Sequence, residues 1–389
     1  MGKFISTVIF LIFFTACAKG QTTKLLMGAE QPEKYLSLLQ DKKVALVVNH
    51  TSMVGQIHLV DYLLEKNIKI EKIFAPEHGF RGDASAGAEI EDNIDNKTGI
   101  SVISLYGEVR KPTKEQLQNI DIVVFDIQDV GCRFYTYIST LHLVMEACAE
   151  YNVPLMILDR PNPNGDYVAG PVRKPGFESF VSMDPIALVH GCTVGELALM
   201  IRGEGWLETK NKCDLTIIPV QNYTHLTKYE LPLKPSPNLP NYLAVRLYPS
   251  LCFFEATSVS IGRGTDFPFQ VIGGTDPSLG DFQFKPVSIP GVSDHPLNEG
   301  KVCYGIDLRE LRKTPTFTLG YFLEFWQKYE DKSVFLTRES WFDLLAGTDQ
   351  LLKWIREGKT DKDIEILLTP EIEEYKSIRK KYLLYPDFE

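Results

Sequence analysis

Residues 121–137 read DIVVFDIQDVGCRFYTY. The first seven, Asp121–Ile127, are a short apolar run rich in Val and Ile with polar ends, the pattern of a strand buried on both faces of a parallel sheet. The residues that follow, 137–151, are amphipathic at helical spacing. Working outward, four more runs have the same form: Lys43–Asn49 (KVALVVN), Ile70–Ala75 (IEKIFA), Ser101–Tyr106 (SVISLY) and Val153–Asp159 (VPLMILD). Amphipathic stretches near 57–67 and 113–119 fall between them. This alternation predicts an α/β layered domain with a mainly parallel sheet over residues 41–205. Ligands of such sheets bind outside the carboxyl ends of the strands, so the residues after each strand are the candidates for chemistry.

Beyond about residue 205 the rhythm breaks. Leu231–Asn241 (LPLKPSPNLPN) holds four prolines in eleven residues, cannot be regular structure, and is expected to wrap over a surface. Strands near 268–273 and 302–308 and helices at 318–329, 347–357 and 370–380 predict a smaller α+β subdomain over 206–389. The whole is 389 residues, 44% hydrophobic and 24% charged, which excludes disorder, collagen and coiled coil as the main state. The net charge of −10, with no basic run, argues against a nucleic-acid partner.

The N-terminus is read separately. Lys3 is followed by an apolar run from Phe4 to Phe14, too short for the roughly 20 residues of a membrane span, and fits a signal-peptide core. Phe14-Thr15-Ala16-Cys17 resembles a lipobox, with Phe where Leu is more usual; cleavage there removes residues 1–16 and lipidates Cys17. The alternative is a plain signal peptide beside a cysteine. In either case the mature chain leaves the cytoplasm, and residues 17–40 form a linker and lead-in. Ala18-Lys19-Gly20-Gln21 has no acidic run, which favours a membrane-anchored lipoprotein on the periplasmic side. Six further cysteines (132, 148, 192, 213, 252 and 303) are scattered with no C-x-x-C pair and read mostly as buried small hydrophobes.

Three strand ends are crowded with polar groups. The second predicted strand runs into Pro76-Glu77-His78-Gly79-Phe80-Arg81-Gly82, the fourth into Asp126-Ile127-Gln128-Asp129 and then Arg133, Tyr135 and Tyr137, and the fifth into Asp159-Arg160-Pro161-Asn162. Two more segments join them: one places His190 before a helix at 196–201, the other carries Glu255 and Arg263, the latter between two glycines. No phosphate-binding glycine loop, H-E-x-x-H or G-x-S-x-G is present, and no two histidines have helical ligand spacing, so no cofactor and no metal is assigned. What remains is carboxylate chemistry with cations and aromatics nearby. Paired carboxyl groups across a bond are the usual tools of glycoside hydrolysis.

The segments PEHGFRG, DIQDVGCRFYTY, DRPNPNG and GRGTDFPF, in this order, resemble those of the NamZ family of exo-β-N-acetylmuramidases over residues 40–389. The resemblance implies a Rossmann-like N-terminal domain, a smaller C-terminal subdomain with the active cleft between them, and release of N-acetylmuramic acid (MurNAc) from non-reducing ends of peptidoglycan fragments. Cys132, the turn Asn49-His50-Thr51-Ser52 and Ala256 depart from the expected pattern. On this basis Glu77 is expected to be the general acid, its proton retained in an enclosed site. Asp129 or Asp126 is the second carboxylate, activating water or orienting the substrate's N-acetyl group. Tyr135 or Tyr137 stabilises the charged sugar ring. Arg81, Arg133 and Arg263 are candidates for the lactyl carboxylate of MurNAc, for which the planar guanidinium is suited. Gln128, Asn162, His78, His190 and Glu255 complete the expected substrate contacts. Two rival readings are a noncatalytic lipoprotein that binds cell-wall sugars and a metal-dependent hydrolase of esters or phosphates.

Overall fold

The computed structural model describes residues 24–80 and 92–389; the expected signal peptide, Cys17 and Arg81 lie outside the described residues. Its frame is a seven-stranded sheet built from β1 (Lys43–Val48), β2 (Lys69–Ala75), β3 (Asn93–Ile94), β4 (Ser101–Ser104), β5 (Ile122–Asp126), β6 (Leu155–Leu158) and a later strand at Leu215–Ile218. Between β6 and that last strand a short antiparallel pair, β7 (Ala169–Val172) and β8 (Ala187–Val189), stands apart, so Leu215–Ile218 is β9. The order across the sheet is β9-β6-β5-β1-β2-β4-β3. Every pairing is parallel except β3 with β4.

The chain therefore winds outward from central β1, first through β2 to β4, then back past β1 to β5, β6 and β9. The reversal occurs between β1 and β5, where Val48 lies beside Asp126. A parallel sheet opens its crevice at such a point, above the carboxyl ends of its strands. Burial explains the continuous apolar runs: Val44 to Val48 and Ile122 to Asp126 are all buried. The layers are completed by α1 (Pro32–Leu39), α2 (Leu59–Glu65), α3 (Lys114–Leu117), α4 (Tyr137–Tyr151) and α5 (Val194–Glu204). In α5 the Thr193 side chain caps the Glu196 amide while Glu196 answers to the Thr193 amide, a reciprocal box that fixes the helix start.

The layered unit reaches further in both directions than the 41–205 read from the sequence. Strand β9 follows residue 205, yet pairs along its whole length with β6. Upstream, Leu26 bridges to Gln221, and Gly28 lies so close to β6 that a Cβ on it would meet the Asp159 amide nitrogen at 2.5 Å. The lead-in is thus part of the fold.

The remainder contains α6 (Tyr242–Leu251), a three-stranded antiparallel sheet of β10 (Val271–Gly274), β11 (Phe282–Phe284) and β12 (Cys303–Asp307), and five helices, α7 (Gly320–Lys328), α8 (Lys332–Phe335), α9 (Glu339–Ala346), α10 (Gln350–Arg356) and α11 (Asp361–Arg379). The expected helix at 370–380 begins nine residues earlier, because Thr360 and Asp363 form a capping box and Pro370 is carried inside the helix. One hydrophobic core runs from Ala45 and Phe125 in the sheet through Phe253 and Phe254 to Phe322, Phe342 and Leu368, so the two parts share an interior. The six described cysteines are buried and unpaired, small apolar fillers as expected.

Candidate active site

The strand ends do converge. The Pro-rich segment crosses over them: His50 donates from Nε2 to the Lys234 carbonyl at 2.7 Å, and the Tyr135 hydroxyl to the Pro235 carbonyl at 2.7 Å. Between the carboxyl ends of β2 and β4 and the C-terminal part lies a cleft of about 1040 Å³, while the Pro-rich roof lines only the smaller recess beside it, through Ser236, Asn238 and Leu239. Glu77, at the end of β2, is half-buried on its wall. The Thr136 hydroxyl meets Glu77 Oε2 at 2.7 Å, and the Tyr137 hydroxyl donates to the Glu77 carbonyl at 3.3 Å. His78, next in sequence, is buried with φ +70, a left-handed conformation that turns the chain sharply after the strand. A small recess of about 70 Å³ joins Glu77 and His78 to Tyr135, Tyr248, Asn238 and Arg263.

Glu255, which also lines the cleft, comes from the helical turn Cys252–Ala256 and binds Arg263 Nη2 through Oε1 at 2.6 Å. The Arg263 guanidinium rests over Phe269, 5.1 Å from the ring centroid. Tyr106 and Arg110 follow β4; burial and the neighbouring Glu77 carboxylate push the Tyr106 hydroxyl well up. Arg110 lies 4.4 Å from the Phe180 ring centroid, and Arg338 5.2 Å from that of Trp341. All of these residues line the cleft except Phe269, which lines the recess. Neither Arg110 nor Arg338 has a carboxylate partner among the described residues.

Several expected site residues lie elsewhere. Asp126 is fully buried and committed to Arg160, with Nε to Oδ1 at 2.5 Å and Nη2 to Oδ2 at 2.9 Å, a bidentate pair beneath the crevice. Arg133 is fully buried and donates to four carbonyls: Nη1 to Pro171 at 2.6 Å and Ile186 at 2.8 Å, Nη2 to Leu345 at 3.1 Å and Ala346 at 2.6 Å. It ties the β7–β8 pair to the C-terminal end of α9, where orphan carbonyls favour a cation. No face of it is left for a substrate carboxylate. Burial pulls its guanidinium down to about 10.

Asp129 takes the Gly131 amide at 2.6 Å and faces His190 Nε2 at 3.3 Å; both side chains are buried and neither lines the cleft. Asn162 holds the Cys192 carbonyl at 2.9 Å and the Asn164 amide at 2.8 Å, and Gln128 donates to the carbonyls of Asp129 and Pro161 at 2.8 and 2.7 Å. These four brace the loops behind the cleft. Tyr137 is buried edge-on against Tyr135, whose ring alone of the two reaches the recess. Among the described residues no group of three or more His, Cys, Asp and Glu side chains is placed to hold a metal ion.

Sequence reasoning missed Thr136, Tyr106, Arg110, Phe180, Arg338 and Trp341. Thr136 sits inside the motif read for Arg133 and the tyrosines, and Arg110 lies four residues past Tyr106, beyond a strand end that carries no cluster of polar groups. Arg338 and Trp341 carry no local signal, since only the tertiary fold brings α9 to the cleft.

Comparison with known proteins agrees with this geometry. The N-terminal domain of the exo-β-N-acetylmuramidase NamZ matches residues 44–243, and its C-terminal domain residues 246–385. The peptidoglycan β-N-acetylmuramidase NamZ of Bacillus subtilis (strain 168) is 37% identical over 375 residues, covering 90% of this chain and 89% of that protein. Two crystal structures from Bacteroides fragilis NCTC 9343, both of DUF1343 family proteins, superpose closely. One has a TM-score of 0.87 and 45% identity over 94% of this chain and 100% of its own; the other has 0.81 and 29% over 93% and 99%. With both domain profiles matched in order across nearly the whole described chain, this protein belongs to the NamZ family of exo-β-N-acetylmuramidases.

Proposed function

We propose that Glu77 is the general acid with which this chain hydrolyses β-linked MurNAc. Family membership makes the protein an exo-acting glycosidase that releases MurNAc from peptidoglycan fragments. The observation that carries the acid role is position. Among the expected catalytic carboxylates (Glu77, Asp126 and Asp129), Glu77 alone lines both the cleft and its recess. Thr136 orients it from the start of α4. A half-buried acid at a strand's carboxyl end reaches the leaving oxygen of a sugar seated in the cleft.

The substrate adds a requirement, because MurNAc carries a lactyl carboxylate. A buried or half-buried anion needs a cation with matching hydrogen bonds. Arg263 is engaged by Glu255, so the lactyl group falls to Arg110 or Arg338, each held flat by an aromatic ring. Tyr248, Phe180 and Trp341 supply apolar faces for the sugar rings.

The test uses MurNAc-β-1,4-GlcNAc and follows free MurNAc by mass spectrometry. Wild type is expected to release it, and Glu77→Gln to lose at least a hundredfold in kcat. Release by the variant at the wild-type rate overturns the acid role.

Location is part of the proposal. The short apolar run before Ala16-Cys17 supports export and anchoring through a lipid on Cys17, in keeping with a cell-wall substrate. Radiolabelled palmitate incorporation lost in Cys17→Ala checks it.

A further inference from the structure

Besides Glu77, the cleft is lined by a second acid, Glu255, from outside the motif in which the sequence placed the second carboxylate. Asp126 is fully buried against Arg160, and the Asp129 side chain is 4% exposed behind the loops. Glu255 is different. Its side chain is 24% exposed, it lines the cleft with Glu77, and only Oε1 is engaged, by Arg263. Oε2 accepts no hydrogen bond among the described residues.

Arg263 also lines the recess that contains Glu77, so the residue that binds Glu255 is shared by cleft and recess. It is itself fixed, stacked over Phe269 and flanked by glycines at φ +81 and +79 that shape the loop. The bond to Arg263 thus sets the rotamer of Glu255 while leaving its second oxygen open to the cleft.

We propose that Glu255 is the second catalytic carboxylate, the base that activates water on the face of the sugar opposite Glu77. This rests on the reading of the chain as an exo-β-N-acetylmuramidase. A water molecule gives one proton to Glu255 Oε2 as its oxygen forms a bond to the anomeric carbon. The glycosidic bond breaks, its electron pair leaves with the aglycone oxygen, and that oxygen takes the proton of Glu77. Glu255 ends protonated, Glu77 ends ionised, and exchange with solvent restores both. A single displacement from the opposite face inverts the anomeric centre, so the first product is α-MurNAc.

The experiment uses p-nitrophenyl β-MurNAc with the full mature chain. The anomer is read by NMR during the first turnovers of wild type, then kcat is measured for Glu255→Gln and for Glu255→Ala with and without azide. The expected results are α-MurNAc first, a fall of 10²- to 10⁴-fold in kcat for Glu255→Gln with an unchanged melting curve, and recovery of Glu255→Ala by azide to give the α-glycosyl azide. A β-anomer first, a Glu255→Gln rate within threefold of wild type, or a Glu255→Ala loss that azide does not relieve each overturns the proposal. In the last case Glu255 is only the structural partner of Arg263. Wild type that releases no MurNAc at all instead overturns the underlying reading, and is told apart by that result alone.

Discussion

Replacing Arg133 by Met separates structure from chemistry at this site. The substitution keeps much of the side-chain volume but removes every donor. Three carbonyl oxygens, those of Pro171, Leu345 and Ala346, then lose their partner in a region where Arg133 is 0% exposed, while that of Ile186 keeps the Arg173 amide at 3.2 Å. Leaving a buried acceptor unsatisfied costs about 1–3 kcal/mol. Even at the low end, three of them sum to roughly 3 kcal/mol, against a total stability of about 5–15 kcal/mol. With about 2.1 cal/mol/K of unfolding entropy per residue over the 389-residue chain, or roughly 1.2 °C per kcal/mol, the melting temperature is expected to fall by about 4 °C. The hydrophobic stem still packs, which is why Met and not Ala is the informative choice. Differential scanning fluorimetry gives the shift, and Michaelis kinetics at a temperature where the variant is folded gives the second readout. The expectation is a large loss of stability with KM for MurNAc substrates within about twofold of wild type. A wild-type melting curve together with a KM raised tenfold would show that Arg133 binds substrate, and would refute its placement as a clamp.

Other outcomes follow from the same geometry. Arg110→Met or Arg338→Met is expected to raise KM for MurNAc substrates about tenfold while leaving kcat within twofold, since about 1.4 kcal/mol of a charge-assisted contact is lost; steady-state kinetics on each variant checks this. Tyr385→Phe removes the hydroxyl that donates to buried Asp159 at 2.5 Å and accepts from the Val220 amide at 2.9 Å, and should cost about 2 kcal/mol in urea unfolding. Burial first, then the neighbouring Glu339 and Asp349 carboxylates, push Asp343 up to about 6. An unfolded Asp titrates near 3.9, so the folded chain binds the extra proton between about pH 4 and 6, and the burden of this charge is present at pH 7 and relieved as the pH falls. Asp343→Asn is therefore expected to stabilise the protein by about 1 kcal/mol at pH 7, after allowance for solvent screening, and by almost nothing at about pH 3; melting temperatures at both values decide it.

The parallel sheet was legible because strands buried on both faces cannot hide. Runs such as KVALVV and IVVFD are apolar throughout, and helix α4 begins at Tyr137 as its spacing demands. Strand β9 was missed for the converse reason: at the sheet's edge, Leu215–Ile217 are only partly buried or exposed and carry no continuous apolar signal. Within the site, Glu77 was readable as the acid following a buried strand. Asp126 and Arg133 were misread because their partners are remote in sequence. Arg160 lies 34 residues beyond Asp126, and the Arg133 acceptors lie 38 to 213 residues away. A charged residue in a polar motif looks the same from sequence whether it faces substrate or staples a loop. The long-range partner decides between the two, and only the fold supplies it. The Glu255–Arg263 contact spans eight residues, yet its meaning also depends on the fold, which brings it to the cleft that Glu77 lines.

The central claim is that Glu77 acts as an acid on MurNAc in this cleft. The most direct measurement is kcat/KM for p-nitrophenyl β-MurNAc and its β-GlcNAc counterpart, with wild type and Glu77→Gln, each with and without EDTA. The account predicts EDTA-insensitive hydrolysis of the MurNAc glycoside in strong preference to the GlcNAc glycoside. With its activated leaving group this substrate needs less acid assistance, so Glu77→Gln should lose less here than on the natural disaccharide, but still about tenfold or more. Equal hydrolysis of both sugars, activity abolished by EDTA, or a Glu77→Gln variant as fast as wild type would contradict it.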